Sequence, residues 1–185
     1  MTWQLRVAHA LRTELADLEK LRGEKSMALA SAPLASILGD PALLAQARAR
    51  GRAAFGDNCA PCHGSGATGS KGYPNLNDDS WIWGGKPEQI QYTIAHGVRA
   101  TADPETRDNQ MPSFGKDGIL KPEEITQVAN YVLQIADLDH DATAATSGAG
   151  VYANNCAACH GDKGEGKQDV GGPQLNDAIW VYGNK

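Results

Sequence analysis

The sequence lacks any long apolar run and is short of aromatic residues and of excess positive charge. No stretch of its 185 residues approaches the roughly 20 consecutive apolar residues that span a membrane. The N-terminus also lacks the apolar segment and small-residue cleavage site of a secretory signal. Aromatic residues are 6% of the chain, which is little for the cores of one or two small domains. The net charge of −5 argues against nucleic acid as a partner.

Cysteine is scarce as well, and all four cysteines lie in two copies of one motif. Residues 59–63 read Cys-Ala-Pro-Cys-His and residues 156–160 read Cys-Ala-Ala-Cys-His. Two thiols at this spacing each add to one vinyl group of a porphyrin, and the adjacent histidine reaches its iron. The motifs therefore predict two covalently bound haem c groups. The predicted attachment residues are Cys59, Cys62, Cys156 and Cys159, and the predicted iron ligands are His63 and His160.

Two other chemistries use paired cysteines. Two Cys-x-x-Cys pairs are typical of a tetrathiolate zinc site, and a single pair is typical of a thioredoxin-like dithiol. A histidine follows the second cysteine in both copies, which neither alternative requires. The two pairs are also far apart with a helical segment between them, whereas zinc ribbons close shorter loops. The pattern therefore favours haem over both alternatives.

The duplication extends beyond the cysteine motifs. Phe55-Gly-Asp-Asn precedes the first motif and Tyr152-Ala-Asn-Asn precedes the second, while Leu76–Lys86 matches Leu175–Lys185. Because a bound porphyrin supplies much of each core, we expect an all-α fold with two cytochrome c-like haem domains in tandem. The second copy stops at the counterpart of Lys86, so we expect the second domain to be truncated. Bacteria attach haem c on the outer side of the cytoplasmic membrane, so we also expect a signal or membrane anchor to precede Met1.

Composition predicts the boundaries of these domains. Residues 1–37 form an N-terminal amphipathic helix and linker, and residues 38–138 form the first haem domain. The Asp-, Thr-, Ala-, Ser- and Gly-rich residues 139–148 are predicted to be an interdomain linker, followed by the partial second domain, residues 149–185.

Helical spacing predicts four helices. Leucines recur at helical intervals between residues 8 and 22, on a face that either packs on its own domain or docks a partner. Proline at a first helical position predicts further helices beginning at Pro41, Pro87 and Pro122. Asp40 is the expected N-cap of the first of these three. The leucines are Leu11, Leu15, Leu18 and Leu21.

The predicted sixth ligand of a haem iron is Met111. It lies beside Pro112, which removes a backbone donor and stiffens the loop that would hold a thioether on iron. His96 is the alternative axial ligand, and Arg99 is either a propionate partner or a solvated surface residue.

The chain resembles the dihaem cytochrome c subunit, subunit III, of cbb3-type cytochrome c oxidases, the CcoP or FixP type. The resemblance begins near Leu38 and continues to the end of the chain. It rests on the two haem motifs and on four further segments: Lys71–Asp79, Trp81–Gly85, His96–Arg99 and Gln110–Gly115.

The resemblance implies a relay protein with no substrate chemistry of its own. It would lie on the periplasmic side of the bacterial inner membrane, attached by an anchor that is missing from this chain. It would pass electrons from a donor cytochrome c towards the oxygen-reducing haem-copper subunit, beside a monohaem cytochrome subunit. The resemblance implies methionine ligands that cross between the two domains, so the sequence leaves open whether Met111 ligates the haem of its own or of the other domain.

The sequence is also compatible with two other functions for a dihaem protein. One is a soluble dihaem shuttle of the c4 type, which has no anchor. The other is a dihaem enzyme, either a peroxidase or a thiosulfate-oxidising cytochrome, which needs an open coordination site and nearby acid-base residues.

Overall fold

The regular structure of the protein is helical. The computed structural model describes residues 3–183, and within them it has eight helices and no strand. This confirms the all-α prediction. The helices are α1 (Trp3–Ser31), α2 (Leu34–Gly39), α3 (Pro41–Asn58), α4 (Ala60–His63), α5 (Pro87–His96), α6 (Pro122–Ile135), α7 (Ala142–Asn155) and α8 (Ala157–His160).

The chain divides into two compact units, Met1–Asn58 and Cys59–Lys185. The second unit holds both Cys-x-x-Cys-His motifs, because its first residue is the first cysteine. In the described part of the chain no helix combines the length and the apolar character needed to cross a bilayer. The predicted domain boundaries stay a prediction.

In the first unit, α1 extends through Ser31, well beyond the predicted amphipathic helix. The side chains of Leu11, Leu15 and Leu18 are exposed along it, while the side chain of Leu21 lies outside the described ones. The expected cap of α3 is present, because Asp40 Oδ1 accepts the N–H of Ala42 at 2.7 Å and that of Leu43 at 3.1 Å.

In the second unit, α5 and α6 begin at the predicted prolines. The N–H of Lys86 donates to Gln89 Oε1 at 3.0 Å at the start of α5. In the same way the N–H of Lys121 donates to Glu124 Oε2 at 2.8 Å at the start of α6. Each side chain satisfies a backbone donor that the first turn leaves free. The 64–86 segment between α4 and α5 has no helix, as its Gly, Asn and Asp content predicts.

The segment 139–148, predicted to be a linker, is largely helical because it forms the first half of α7. Asp141 caps this helix, accepting the N–H of Thr143 at 2.8 Å and that of Ala144 at 3.0 Å. A Cβ added at Gly148 would overlap the Gln127 carbonyl oxygen of α6. The small residues that predicted an interdomain linker thus allow α7 to pack closely against α6.

Candidate functional site

The two cysteine motifs form matching short helices. In each copy the first cysteine precedes the helix and the histidine ends it, giving α4 and α8. Gly64 and Gly161 then reverse the chain with φ angles of 81° and 83°, a conformation that disfavours a Cβ. All four cysteines are free thiols with intermediate exposure, so none is committed to a disulfide.

The two histidines are held in the same way. His63 Nδ1 lies 2.9 Å from the Pro74 carbonyl oxygen, and His160 Nδ1 lies 2.8 Å from that of Pro173. A carbonyl oxygen only accepts, so the hydrogen bond fixes the proton on Nδ1 and leaves the Nε2 lone pair free. This is the tautomer that an iron ligand requires, and the bond also fixes the ring orientation. The donor set therefore fits haem iron.

The loops that carry these prolines are duplicated too. The N–H of Gly69 donates to the His63 carbonyl at 2.8 Å, and that of Gly166 donates to the His160 carbonyl at 2.7 Å. The prolines belong to a repeated Pro-x-Leu-Asn-Asp segment that begins at Pro74 and at Pro173. Repetition of this segment in both copies is the sequence signal that marks these prolines.

The second motif is the more deeply buried. Burial raises the pKa of the Cys156 thiol, and the neighbouring Cys159 raises it further. At the first motif, a hydrogen bond with Cys62 raises the pKa of Tyr73.

Within residues 3–183 no three Cys, His, Asp or Glu side chains form a group that would hold a metal ion. The tetrathiolate zinc alternative, which requires the two pairs to converge, finds no support in this geometry.

Two further observations fit a bound porphyrin. Trp180 Nε1 is buried and has no hydrogen-bond partner among the described residues, although buried donors are normally paired. A haem propionate is a suitable acceptor for it. On α5, Ile94 is 79% exposed and, with Pro87, Ile90 and Ala95, lines an apolar hollow of about 490 Å³, the kind of surface that a macrocycle covers.

The predicted sixth ligand lies on a loop. Met111 is 65% exposed in the segment between α5 and α6, so its thioether is accessible. Two residues earlier, Asn109 Nδ2 donates to the Val170 carbonyl of the second copy at 2.5 Å. Ligation by Met111 stays a prediction, for the haem of either copy.

His96 already has acidic partners. Its Nδ1 lies 3.1 Å from Asp103 Oδ2, and its Nε2 lies 3.6 Å from Glu105 Oε2. The Glu105 N–H donates to Asp103 Oδ1, and this bond, together with His96, lowers the pKa of Asp103. Arg99 donates to the Asn109 carbonyl at 3.0 Å. These contacts give His96 and Arg99 structural roles in the loop that leads to Met111.

Helices around two Cys-x-x-Cys-His segments, with each histidine held by a proline carbonyl, define a c-type cytochrome with two attachment sites. The family model for cytochrome c matches residues 48–136. The model for subunit III of cbb3-type cytochrome c oxidase matches residues 143–182.

Curated relatives agree with these matches. A FixP subunit of the cbb3-type oxidase from Bradyrhizobium sp. (strain ORS 278) is 57% identical over 92% of this chain and 59% of its own length. A CcoP subunit from Cereibacter sphaeroides is 54% identical over 84% of this chain and 53% of its own length. The chain thus spans between half and three fifths of the length of these relatives.

The chain belongs to the FixP/CcoP family, subunit III of cbb3-type cytochrome c oxidases. This confirms the resemblance to the CcoP or FixP subunit that the sequence indicates. The cofactors of the chain are two haem c groups. The comparisons support neither the soluble shuttle nor the dihaem enzyme.

Proposed function

We propose that this chain belongs to an electron-transfer subunit that relays single electrons through two c-type haems towards an oxygen-reducing haem-copper subunit. The observation that carries the proposal is the duplicated site, in which both histidines keep the Nδ1–H tautomer through a proline carbonyl. A bound haem supplies reversible one-electron exchange at its iron. The protein orients the axial ligands and shields the porphyrin from water.

Each site residue has one role in this proposal. The thiols of Cys59 and Cys62 attach the first haem, and those of Cys156 and Cys159 attach the second. The Nε2 atoms of His63 and His160 ligate the two irons. Met111 would supply a thioether to the iron of one haem, and such a ligand favours the reduced metal and raises the reduction potential.

The proposed partners follow from the family. They are the haem-copper catalytic subunit and the monohaem cytochrome subunit of the oxidase, with a donor cytochrome c. The proposed location is the periplasmic side of the bacterial inner membrane. The names of the relatives, which are subunits of cbb3-type oxidases, support this assembly.

The first experiment counts haem in the complete protein, matured in a host that attaches haem c. We expect two haems per chain and two low-spin ferric signals in the electron paramagnetic resonance spectrum. The double variant Cys59→Ala/Cys62→Ala should lose one haem and Cys156→Ala/Cys159→Ala the other. A single haem in the unmodified protein, or a high-spin haem that reacts with peroxide, would contradict the relay.

The second experiment tests Met111. Met111→Leu should abolish the thioether-to-iron charge-transfer band of one haem and lower its midpoint potential. Met27→Leu is the matched control, because Met27 is 68% exposed on α1 and Met111 is 65% exposed. Repeating Met111→Leu in each single-haem variant identifies the haem concerned. An unchanged band in both backgrounds would show that Met111 ligates neither iron.

A further inference from the structure

The first copy touches the second copy through a tryptophan. Trp83 lies in the loop before α5, and its ring covers Gly171, in the loop that follows the second haem motif. A Cβ added at Gly171 would overlap the Trp83 ring, so the contact exists only because residue 171 is glycine. The φ angle of Gly171 is +64°, which also favours glycine.

Two hydrogen bonds also join this loop of the second copy to the first copy, one to the loop before α5 and one to the segment after it. Gln168 Nε2 donates to the Trp81 carbonyl at 3.0 Å, and Asn109 Nδ2 donates to the Val170 carbonyl at 2.5 Å. The three contacts all fall within the 168–171 segment. They fix this loop against the first copy at several points.

Arg107 also lies against the Trp83 ring. Its guanidinium carbon lies 5.2 Å from the centroid of Trp83 and 4.9 Å from that of Tyr92, a cation–π arrangement with both rings. Arg107 Nε donates to Thr93 Oγ1 at 2.8 Å, which ties the guanidinium to α5. The ring of Trp83 is therefore in contact with Gly171 and, through Arg107, is linked to α5.

The loop under Trp83 is in turn fixed to the second haem motif. A Cβ added at Gly172 would overlap the Cys159 carbonyl oxygen, so the backbones touch there. Lys167 Nζ donates to the Ala158 carbonyl at 3.1 Å. A continuous series of contacts thus leads from α5, through Arg107 and Trp83, to the backbone of a haem-attachment cysteine.

We propose that Trp83, in contact with Gly171 and Arg107, is a positioning residue that fixes the separation of the two haem attachment sites. The inference rests on the proposed dihaem relay. In that relay one electron leaves a ferrous iron and reduces the other, ferric, iron with no proton transfer. The rate of such a step falls steeply with distance, so a contact that sets the distance sets the rate.

The test uses the complete protein matured with both haems. The variants are Gly171→Ala, which pushes on the Trp83 ring, and Trp83→Ala, which removes it. Gly118→Ala is the matched control, because Gly118 has a φ of +66° and open space where its Cβ would point. Haem content confirms maturation, laser-initiated reduction gives the inter-haem rate, and pulsed electron paramagnetic resonance gives the separation of the ferric irons.

We expect Gly171→Ala and Trp83→Ala to slow inter-haem transfer severalfold and to broaden or shift the iron–iron distance, while Gly118→Ala does neither. In the double variant Trp83→Ala/Gly171→Ala, the methyl group added at position 171 meets no ring. The effects of the two substitutions on the rate should therefore be less than additive. Trp83→Phe, which keeps a ring beside Arg107, should restore part of the rate.

Two results would overturn the proposal. One is a Trp83→Ala protein with the unmodified rate and distance. The other is a Gly171→Ala effect that persists undiminished when Trp83 is also replaced. Should Gly171→Ala fail to mature, Trp83→Ala alone decides the question. Failure of the relay itself is distinguishable, because the unmodified protein would then lack a second haem or show no inter-haem transfer.

Discussion

A single buried tyrosine orders the chain around the second haem motif. Tyr152 is 1% exposed, and its hydroxyl donates to the Gly161 carbonyl at 2.8 Å, directly after His160. Its ring also packs on Tyr131 of α6, with 5.0 Å between centroids. The first copy has Phe55 at the equivalent position, so this hydrogen bond belongs to the second copy alone.

Replacing this tyrosine should cost stability. Tyr152→Phe removes this hydrogen bond and leaves the buried Gly161 carbonyl with only the longer bond from the Gly164 N–H, at 3.3 Å, so the free energy of unfolding should fall by about 1 kcal/mol. Tyr182→Phe is the control, because Tyr182 is 76% exposed and should change that energy by less than about 0.5 kcal/mol. Denaturant unfolding of the haem-loaded proteins measures both. Equal stability of the two variants would show that the bond contributes nothing.

The same tyrosine predicts a dependence on pH. Burial, reinforced by nearby acidic groups, raises the pKa of Tyr152 to about 12, above its ordinary value of 10.0. The folded state therefore holds the hydroxyl proton more tightly than the unfolded state does. This contribution to stability is complete below pH 10 and is lost as the pH rises to about 12. The difference in unfolding free energy between the parent and Tyr152→Phe should shrink over that range.

At the scale of an element, the N-cap of α7 decides where the helix begins. Asp141→Ala removes the acceptor of two backbone N–H groups and should lower the free energy of unfolding by about 1 kcal/mol. Asp139→Ala is the control, because it removes the same charge from an exposed residue just before the helix. Thermal or denaturant unfolding distinguishes them. If both variants lose the same stability, charge and not capping is responsible.

Two glycines of α7 test its packing against α6. Gly148→Ala places a methyl group against the Gln127 carbonyl oxygen, so the helices must separate. This should cost about 1–3 kcal/mol, as overpacking does. A Cβ at Gly150 meets nothing within 4 Å, so Gly150→Ala should stabilise the protein by up to about 1 kcal/mol through helix propensity. Opposite signs in unfolding experiments would confirm the close contact, and equal signs would contradict it.

At the scale of the whole molecule, net charge should influence the encounter with the proposed donor cytochrome c. The chain carries a net charge of −5, so a basic donor cytochrome c should be attracted at long range, and this attraction is screened by salt. We expect the second-order rate of electron transfer from such a donor to fall as ionic strength rises. An acidic donor is the control and should show the reverse trend. Stopped-flow reduction of the complete protein measures both rates.

Features that depend on local spacing could be predicted from the amino-acid order alone. Cysteines three positions apart with an adjacent histidine define the two attachment sites. Asp40 with Pro41, and Pro122 with the acidic residues after it, define helix starts. These features involve residues a few positions apart, so the chain specifies them whatever surrounds it.

Contacts between segments that are distant in sequence could be identified only from the tertiary structure. The composition of residues 139–148 predicted a linker, but a cap and close packing on α6 make most of it helical. The sequence repeats the prolines whose carbonyls orient His63 and His160, but only the folded chain brings those backbone groups to the histidines. The contact of Trp83 with Gly171 joins loops of different copies. Each depends on residues remote in sequence, whose approach is set by packing and not by local propensity.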